Sequence, residues 1–184
     1  MCGGSIPLRG TNGALSPIKG SPIKVTLLFV IGRIEVLSMR DKIIRIEWSE
    51  PLLIEDAIVS PLSRQAGLYY ITRFFGAKET SLYIGKAANT IRQRLKSHNK
   101  DWVHDYRGKI FVRLGKIIYP RDVDAELIDH AESALIFEHG DILTDNTDKR
   151  FTYSYSDLYR VENIGNCFEL KEKVRMQEHE EYAY

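Results

Sequence analysis

Residues Gly67 to Lys86, GLYYITRFFGAKETSLYIGK, constrain the fold more than any other stretch of the chain. Tyrosines and aliphatic residues gather at both ends, while the middle is polar and holds Gly76. The pattern predicts two antiparallel strands, Gly67 to Thr72 and Leu82 to Lys86, joined by a loop. The period then changes: Ile91 and Leu95 recur at i, i+4, which predicts an amphipathic helix from about Thr90 to Lys100. GKIFVRLGKII returns to a strand pattern, and Pro120 and Asp122 open a second helix that Gly140 is placed to end.

A chain of 184 residues can bury one good core with an appendage but not two full domains. Four segments follow from the pattern. Residues 1–22, rich in glycine, proline and serine, read as a disordered arm. Residues 23–62 read as an N-terminal β-hairpin, IKVTLLFVI paired with DKIIRIEW, followed by a linker bracketed by Pro51 and Pro61. Residues 63–150 form the core and 151–184 a C-terminal extension.

With 28% charged residues the composition is that of a soluble globular protein, and the apolar run Val25 to Ile31 is too short to span a bilayer. The opening residues lack the basic and apolar regions of a secretory signal, which leads to the expectation of a cytoplasmic protein with no membrane association. Cys2 and Cys167, with five scattered histidines, cannot build a disulfide framework or a zinc site. The net charge is only +1, yet Lys86 to Lys116 holds nine Lys or Arg against Asp101 and Asp105. Such a segment suits a phosphate backbone, and a solvated charged face is the plain alternative.

Two strand tyrosines, Tyr69 and Tyr83, taken alone are packing residues more often than catalysts. The helices add charges in apolar settings. Arg94 and His98, also i, i+4, lie beside the Ile91 and Leu95 stripe, whereas Arg92, Lys96 and Lys100 share the solvated face. In the second helix Glu132 falls inside the stripe of Ile128, Ala131, Leu135 and Ile136. A carboxylate on a buried stripe must be protonated, paired or bound to a cation. Pairing with Arg94 and binding of a hard divalent ion both satisfy that requirement, and periodicity does not separate them.

GLY at 67–69, YIG at 83–85, RLKSH with Arg94 and His98, AESALI with Glu132, and Asn146 beyond it together resemble the GIY-YIG nuclease superfamily. The likeness runs from Gly67 to about Asn146. Leucine replaces the isoleucine of the first motif, and thirteen residues separate Tyr69 from Tyr83, longer than is usual. Asn146 is taken ahead of Asn163 and Asn166 for its spacing after Glu132.

The resemblance implies an α+β fold with a small three-stranded antiparallel sheet flanked by helices and an active site on one sheet face. It also implies hydrolysis of phosphodiester bonds in DNA with one divalent metal, Mg²⁺ or Mn²⁺. Carried over residue by residue, Tyr69 would be the general base, its phenol depressed below the usual value of about 10 by nearby cations. Glu132 would hold the metal, and Arg94 would contact the scissile phosphate. Tyr83 and His98 would position water or phosphate, and Asn146 would orient its neighbours. Lys86, next to the second motif, joins Arg92, Lys96 and Lys100 as candidate nucleic-acid contacts.

Three readings compete. A compact restriction-like endonuclease leads, because no zinc-ligand spacing or helix-turn-helix accompanies the core, with repair and mobile-element nucleases beside it. There the hairpin or the tail would serve DNA recognition or homodimer formation. A binding module that keeps the fold without cutting is the second, and an ordinary α+β protein with a structural Arg94–Glu132 pair is the third.

Overall fold

The computed structural model describes residues 42–151 and 159–175. The expected arm over 1–22 and the strand expected around Val25 to Ile31 lie outside the described residues. Among these residues no helix is long and apolar enough to cross a membrane.

In chain order the elements are β1 (Lys42–Trp48), β2 (Leu52–Leu53), α1 (Ile54–Val59), a short 3-10 turn (Pro61–Arg64), β3 (Gly67–Phe75) and β4 (Lys78–Ala87). Helix α2 (Ile91–Asp101), a second 3-10 turn (Val103–Asp105), β5 (Lys109–Tyr119), α3 (Ala125–His139), β6 (Tyr159–Gly165) and β7 (Lys173–Arg175) complete it. The two strands and two helices expected between Gly67 and Gly140 are present, and the third strand is β5. The hairpin strands are longer than expected, because the polar middle still pairs out to Phe75 and Lys78.

The expectation of a small three-stranded antiparallel sheet is overturned. The sheet has seven strands in the order β4-β3-β5-β1-β6-β7, with β2 added beside β5, and it is mixed because β1 and β6 run parallel. It curls into a half-barrel. The physical reason lies in β5, whose two edges both need hydrogen-bonding partners. One edge pairs with β3 over Lys109 to Gly115, and the other is taken by β2 at Phe111 and Val112 and by β1 at Gly115 to Tyr119. A three-stranded sheet would leave that second edge as a row of unpaired backbone groups.

The expected N-terminal hairpin also changes. DKIIRIEW does form β1, but over Arg45 to Trp48 both of its edges are occupied, by β5 and by β6. The strand that would pair there comes from residues beyond 150. Trp48 is 2% exposed and its indole N–H donates to Asn163 Oδ1 at 2.9 Å, so β6 is tied to β1 by a side chain as well as by the ladder.

The sheet separates two cores. On one face α3 packs Ile128, Ala131, Leu135 and Ile136 against Leu68, Tyr70 and Ile84 and against the apolar residues of β1 and β6. On the other, α1 and α2 pack Ile54, Ala57, Ile91 and Leu95 against Tyr69, Ile71, Val112 and Leu114. Each large apolar side chain fully buried in this way contributes roughly 1.5–3 kcal/mol. The Asp124 carboxylate starts α3 by accepting the Leu127 backbone N–H at 2.7 Å.

On the α3 face Arg113, 3% exposed, donates to Glu79 at 2.6 Å, Thr72 at 3.1 Å and Asn166 at 2.8 Å, and lies against the Tyr70 and Phe168 rings. A buried guanidinium with this many partners is satisfied internally and clamps the segment after β6 onto β3 and β5.

Candidate functional site

Tyr69 stands opposite Gly85 in the β3–β4 ladder, and Tyr83 stands opposite Ile71, two residues along from Tyr69. That register puts both tyrosines on the α2 face. Their rings stack with centroids 6.1 Å apart. Gly85 is what permits it: a Cβ there would lie 2.5 Å from Tyr69 Cζ and 2.6 Å from Tyr83 Cε1, and closer still to the Tyr69 oxygen. Tyr69 therefore crosses directly over the strand at the glycine and carries its hydroxyl to the outer edge of the sheet, where β4 is the terminal strand.

Helix α2 presents its side chains to that hydroxyl. His98 Nε2 is 2.7 Å from the Tyr69 oxygen, and the His98 ring also packs against Tyr83 at 5.1 Å. The Trp102 indole N–H donates to His98 Nδ1 at 2.8 Å. Arg94, exposed at the helix surface, acts on Tyr69 by its charge. Solvent reaches Arg94 and Tyr83, whereas Tyr69 is 0% exposed.

The expected depression of the Tyr69 phenol is not found. Burial pushes it above its ordinary value, Tyr83 adds to the rise, and Arg94 only partly opposes it. Tyr83 is raised too, first by burial and then by the Glu132 charge. His98 is lowered to about 4 by burial and by the Arg94 charge, so its imidazole is neutral at physiological pH.

Glu132 is 7% exposed on the buried side of α3, as its place in the stripe requires. It comes to the site from the opposite face of the sheet, which corrects the expectation of a single-face active site. The cause is that α3 packs over Leu68, Tyr70 and Ile84 while α2 packs over Tyr69. Its charge nevertheless bears on both tyrosines. Of the two partners left open for Glu132, Arg94 and a divalent ion, the ion pair with Arg94 is replaced by lysines. Lys149 Nζ lies 2.9 Å from Glu132 and 2.7 Å from Asp129, and Lys86 Nζ lies 3.4 Å from Glu132 and also pairs with Asp129.

Among the described residues no three His, Cys, Asp or Glu side chains gather into a metal site. Glu132 and Asp129, three residues apart on α3, do offer two carboxylates to one point, since both meet the same two ammonium groups. That donor set fits an Mg²⁺-type ion, which binds through one or two carboxylates and keeps several waters. Such an ion would compete with Lys86 and Lys149 for the same oxygens.

The remaining candidates divide. Asn146, 4% exposed, acts only on the neighbouring strand. Its side chain accepts the Ile84 N–H and donates to the Ile84 C=O, both at 2.9 Å, and so pairs the outer edge of β4. Asn163 and Asn166 serve Trp48 and Arg113 instead. Arg92 is drawn away from the solvated face, because its guanidinium binds the Ile58 and Val59 carbonyls at the end of α1, at 2.7 and 3.1 Å. Lys86 is engaged by acids, and Lys96 and Lys100 are exposed.

Two contributors, Lys149 and Trp102, had no place in the sequence analysis, and Gly85 entered it only as the last residue of YIG. Trp102 carried a signal, since it follows His98 at i+4 and so shares its side of the helix. It also lines a cleft of about 410 Å³ with Tyr83, Asp105, Tyr106 and Asp145. No family model, curated protein or solved structure matches this chain.

Proposed function

We propose that the protein is a metal-dependent endonuclease of the GIY-YIG type that hydrolyses phosphodiester bonds in DNA, a restriction-like enzyme of the cytoplasm. The observation that carries the reading is the hydrogen-bonded and stacked group of Tyr69, Tyr83 and His98 over Gly85, with Arg94 beside it.

A DNA phosphate arriving at this edge meets the exposed Arg94 first. Pairing with the phosphate draws the guanidinium outward, opens the covered Tyr69 hydroxyl and neutralises charge developing on the phosphoryl oxygens. Water then attacks phosphorus as its proton passes to the Tyr69 oxygen and the phenol's own proton leaves to solvent, so the buried phenol ends neutral, and the P–O3′ bond breaks with the electron pair leaving on the 3′ oxygen, which takes a proton from solvent. His98, neutral and fixed, holds the Tyr69 oxygen, while Tyr83 stacks on the ring and keeps its direction. A divalent ion held by Glu132, with Asp129 adjacent, would supply positive charge for the pentavalent phosphorane and the leaving oxygen. Lys96 and Lys100, exposed on the same helix, suit the flanking phosphates.

A module that binds DNA without cutting is favoured by one observation, the neutralisation of Glu132 by Lys86 and Lys149. Incubation of the full chain with supercoiled plasmid and Mg²⁺ or Mn²⁺ separates the two. The natural protein is expected to nick or linearise the plasmid, and Tyr69→Phe, Arg94→Ala and Glu132→Ala to lose about 10²-fold or more of that rate. Plasmid retarded on a gel but never cut would establish the binding module. Equal cutting by the three variants would remove these residues from the chemistry.

A further inference from the structure

We propose that Trp102 is a positioning residue: its indole N–H fixes His98 in the tautomer whose Nε2–H donates to the Tyr69 oxygen. The direction of each hydrogen bond follows from chemistry. Indole nitrogen can only donate, so His98 Nδ1, 2.8 Å away, accepts and carries no proton. A neutral imidazole has a single N–H, which is then on Nε2, and Nε2 is 2.7 Å from the Tyr69 oxygen. The doubly protonated ring would set an Nδ1–H against the indole N–H, two donors face to face. Turning the ring over would put carbon atoms against both partners.

The indole is itself held. Trp102 caps α2, and its backbone N–H donates to the His98 carbonyl at 3.2 Å, so the two residues are joined by main chain and side chain. Tyr83 and Tyr106 pack against its ring at 6.0 and 5.9 Å, and the Tyr106 hydroxyl donates to Asp145 at 2.7 Å. The result is a chain of donors, Trp102 to His98 to Tyr69, running toward the phenol oxygen.

His98 is therefore not the base that takes the Tyr69 proton. Its N–H occupies one lone pair of the phenol oxygen, which turns the Tyr69 O–H away from the histidine, and it favours the ionised phenol in the same direction as the Arg94 charge. The strong lowering of His98 by burial and Arg94 agrees with a ring that stays neutral.

The catalytic consequence rests on the nuclease reading, whereas the tautomer does not. The test is long-range ¹H–¹⁵N correlation on the ¹⁵N-histidine-labelled full chain near neutral pH. His98 is expected to show one pyrrole-type nitrogen at Nε2 and one pyridine-type nitrogen at Nδ1. Replacing Trp102 with benzothienylalanine, which keeps the bicyclic ring and lacks the N–H, is expected to give averaged shifts of mixed tautomers. Trp102→Phe is the second variant.

On plasmid, the same replacement is expected to lower kcat about ten-fold with KM unchanged, as loss of one hydrogen bond in a fixed array would do. A His98 that is protonated at Nδ1, or whose shifts do not respond to loss of the indole N–H, overturns the proposal. A protein that shows the expected shifts yet cuts no DNA leaves the positioning role in place and overturns the nuclease reading alone.

Discussion

Gly85→Ala tests the geometry of the site most directly. The added methyl would sit 2.5 Å from Tyr69 Cζ, whereas carbon atoms in contact keep about 3.5–4.0 Å, so the ring must retreat by roughly 1 Å. It has little room, because Tyr69 is fully buried with Tyr83 stacked on it and His98 against its edge. A retreat of that size stretches the 2.7 Å bond to His98 beyond hydrogen-bonding range. Overpacking of this kind costs about 1–3 kcal/mol, and the lost buried hydrogen bond about 1 kcal/mol more. For a chain of this size the melting temperature should fall by about 4–16 °C. If Tyr69 is the catalytic phenol, cleavage should fall about 10²-fold in the fraction still folded. Gly76→Ala is the control: the hairpin glycine has φ +64° but nothing within 4 Å of an added Cβ, so it should lose about 1 kcal/mol and keep full activity. Calorimetry and plasmid nicking on the two variants decide the matter. A Gly85→Ala protein that melts and cuts like the natural one would refute the crossing of Tyr69 over the glycine.

Acid should weaken the fold through His98, because between pH 6.5 and about 4 the unfolded chain binds a proton that the folded chain refuses. Stability contributed at neutral pH is lost as pH falls through that window, by about 2–3 kcal/mol once partial solvent screening is allowed for. Urea unfolding at pH 7 and 4.5 should show a smaller acid loss for His98→Gln, and equal losses would refute the assignment. Asn146→Ala leaves the Ile84 N–H and C=O without their partner, at a cost of about 2–4 kcal/mol. Hydrogen exchange at the Ile84 amide should accelerate accordingly, and unchanged protection would count against edge capping. If Glu132 holds the proposed metal, Lys149→Met removes one of the two ammonium groups competing for it and should raise Mn²⁺ affinity about ten-fold in titration calorimetry. Unchanged affinity would refute Glu132 as the metal's ligand.

The helices and the tyrosine hairpin were legible because each announces itself locally. Ile91 and Leu95 at i, i+4, Gly140 after α3, and Gly76 between two apolar runs are signals within one element, whereas the helix start read at Pro120 and Asp122 falls at the Asp124 cap instead. The sheet's extent was not, because pairing partners are a property of edges rather than of strands. Nothing in KIIRIEW says that it will run antiparallel to β5 on one side and parallel to YRVENIG, over a hundred residues later, on the other. The residue that fixes that pairing, Asn163 under Trp48, looks in the sequence like any loop asparagine.

The same distinction explains which parts of the site could be read. Glu132 on an apolar stripe correctly demanded a counter-charge, since burial is periodic. The identity of that charge was a matter of three dimensions. Arg94 and Glu132 sit on helices packed against opposite faces, so they meet only around the edge of β4, where Lys86 and Lys149 are nearer. Of the nine basic residues between Lys86 and Lys116, three are bound inward, Lys86 by Asp129 and Glu132, Arg92 by carbonyls and Arg113 by Glu79. The six that remain exposed include Arg94, Lys96 and Lys100 on one helix. The basic strip left for the proposed nucleic acid is thus narrower than the sequence count suggests. Half of it lies along α2, the helix that holds His98 against Tyr69.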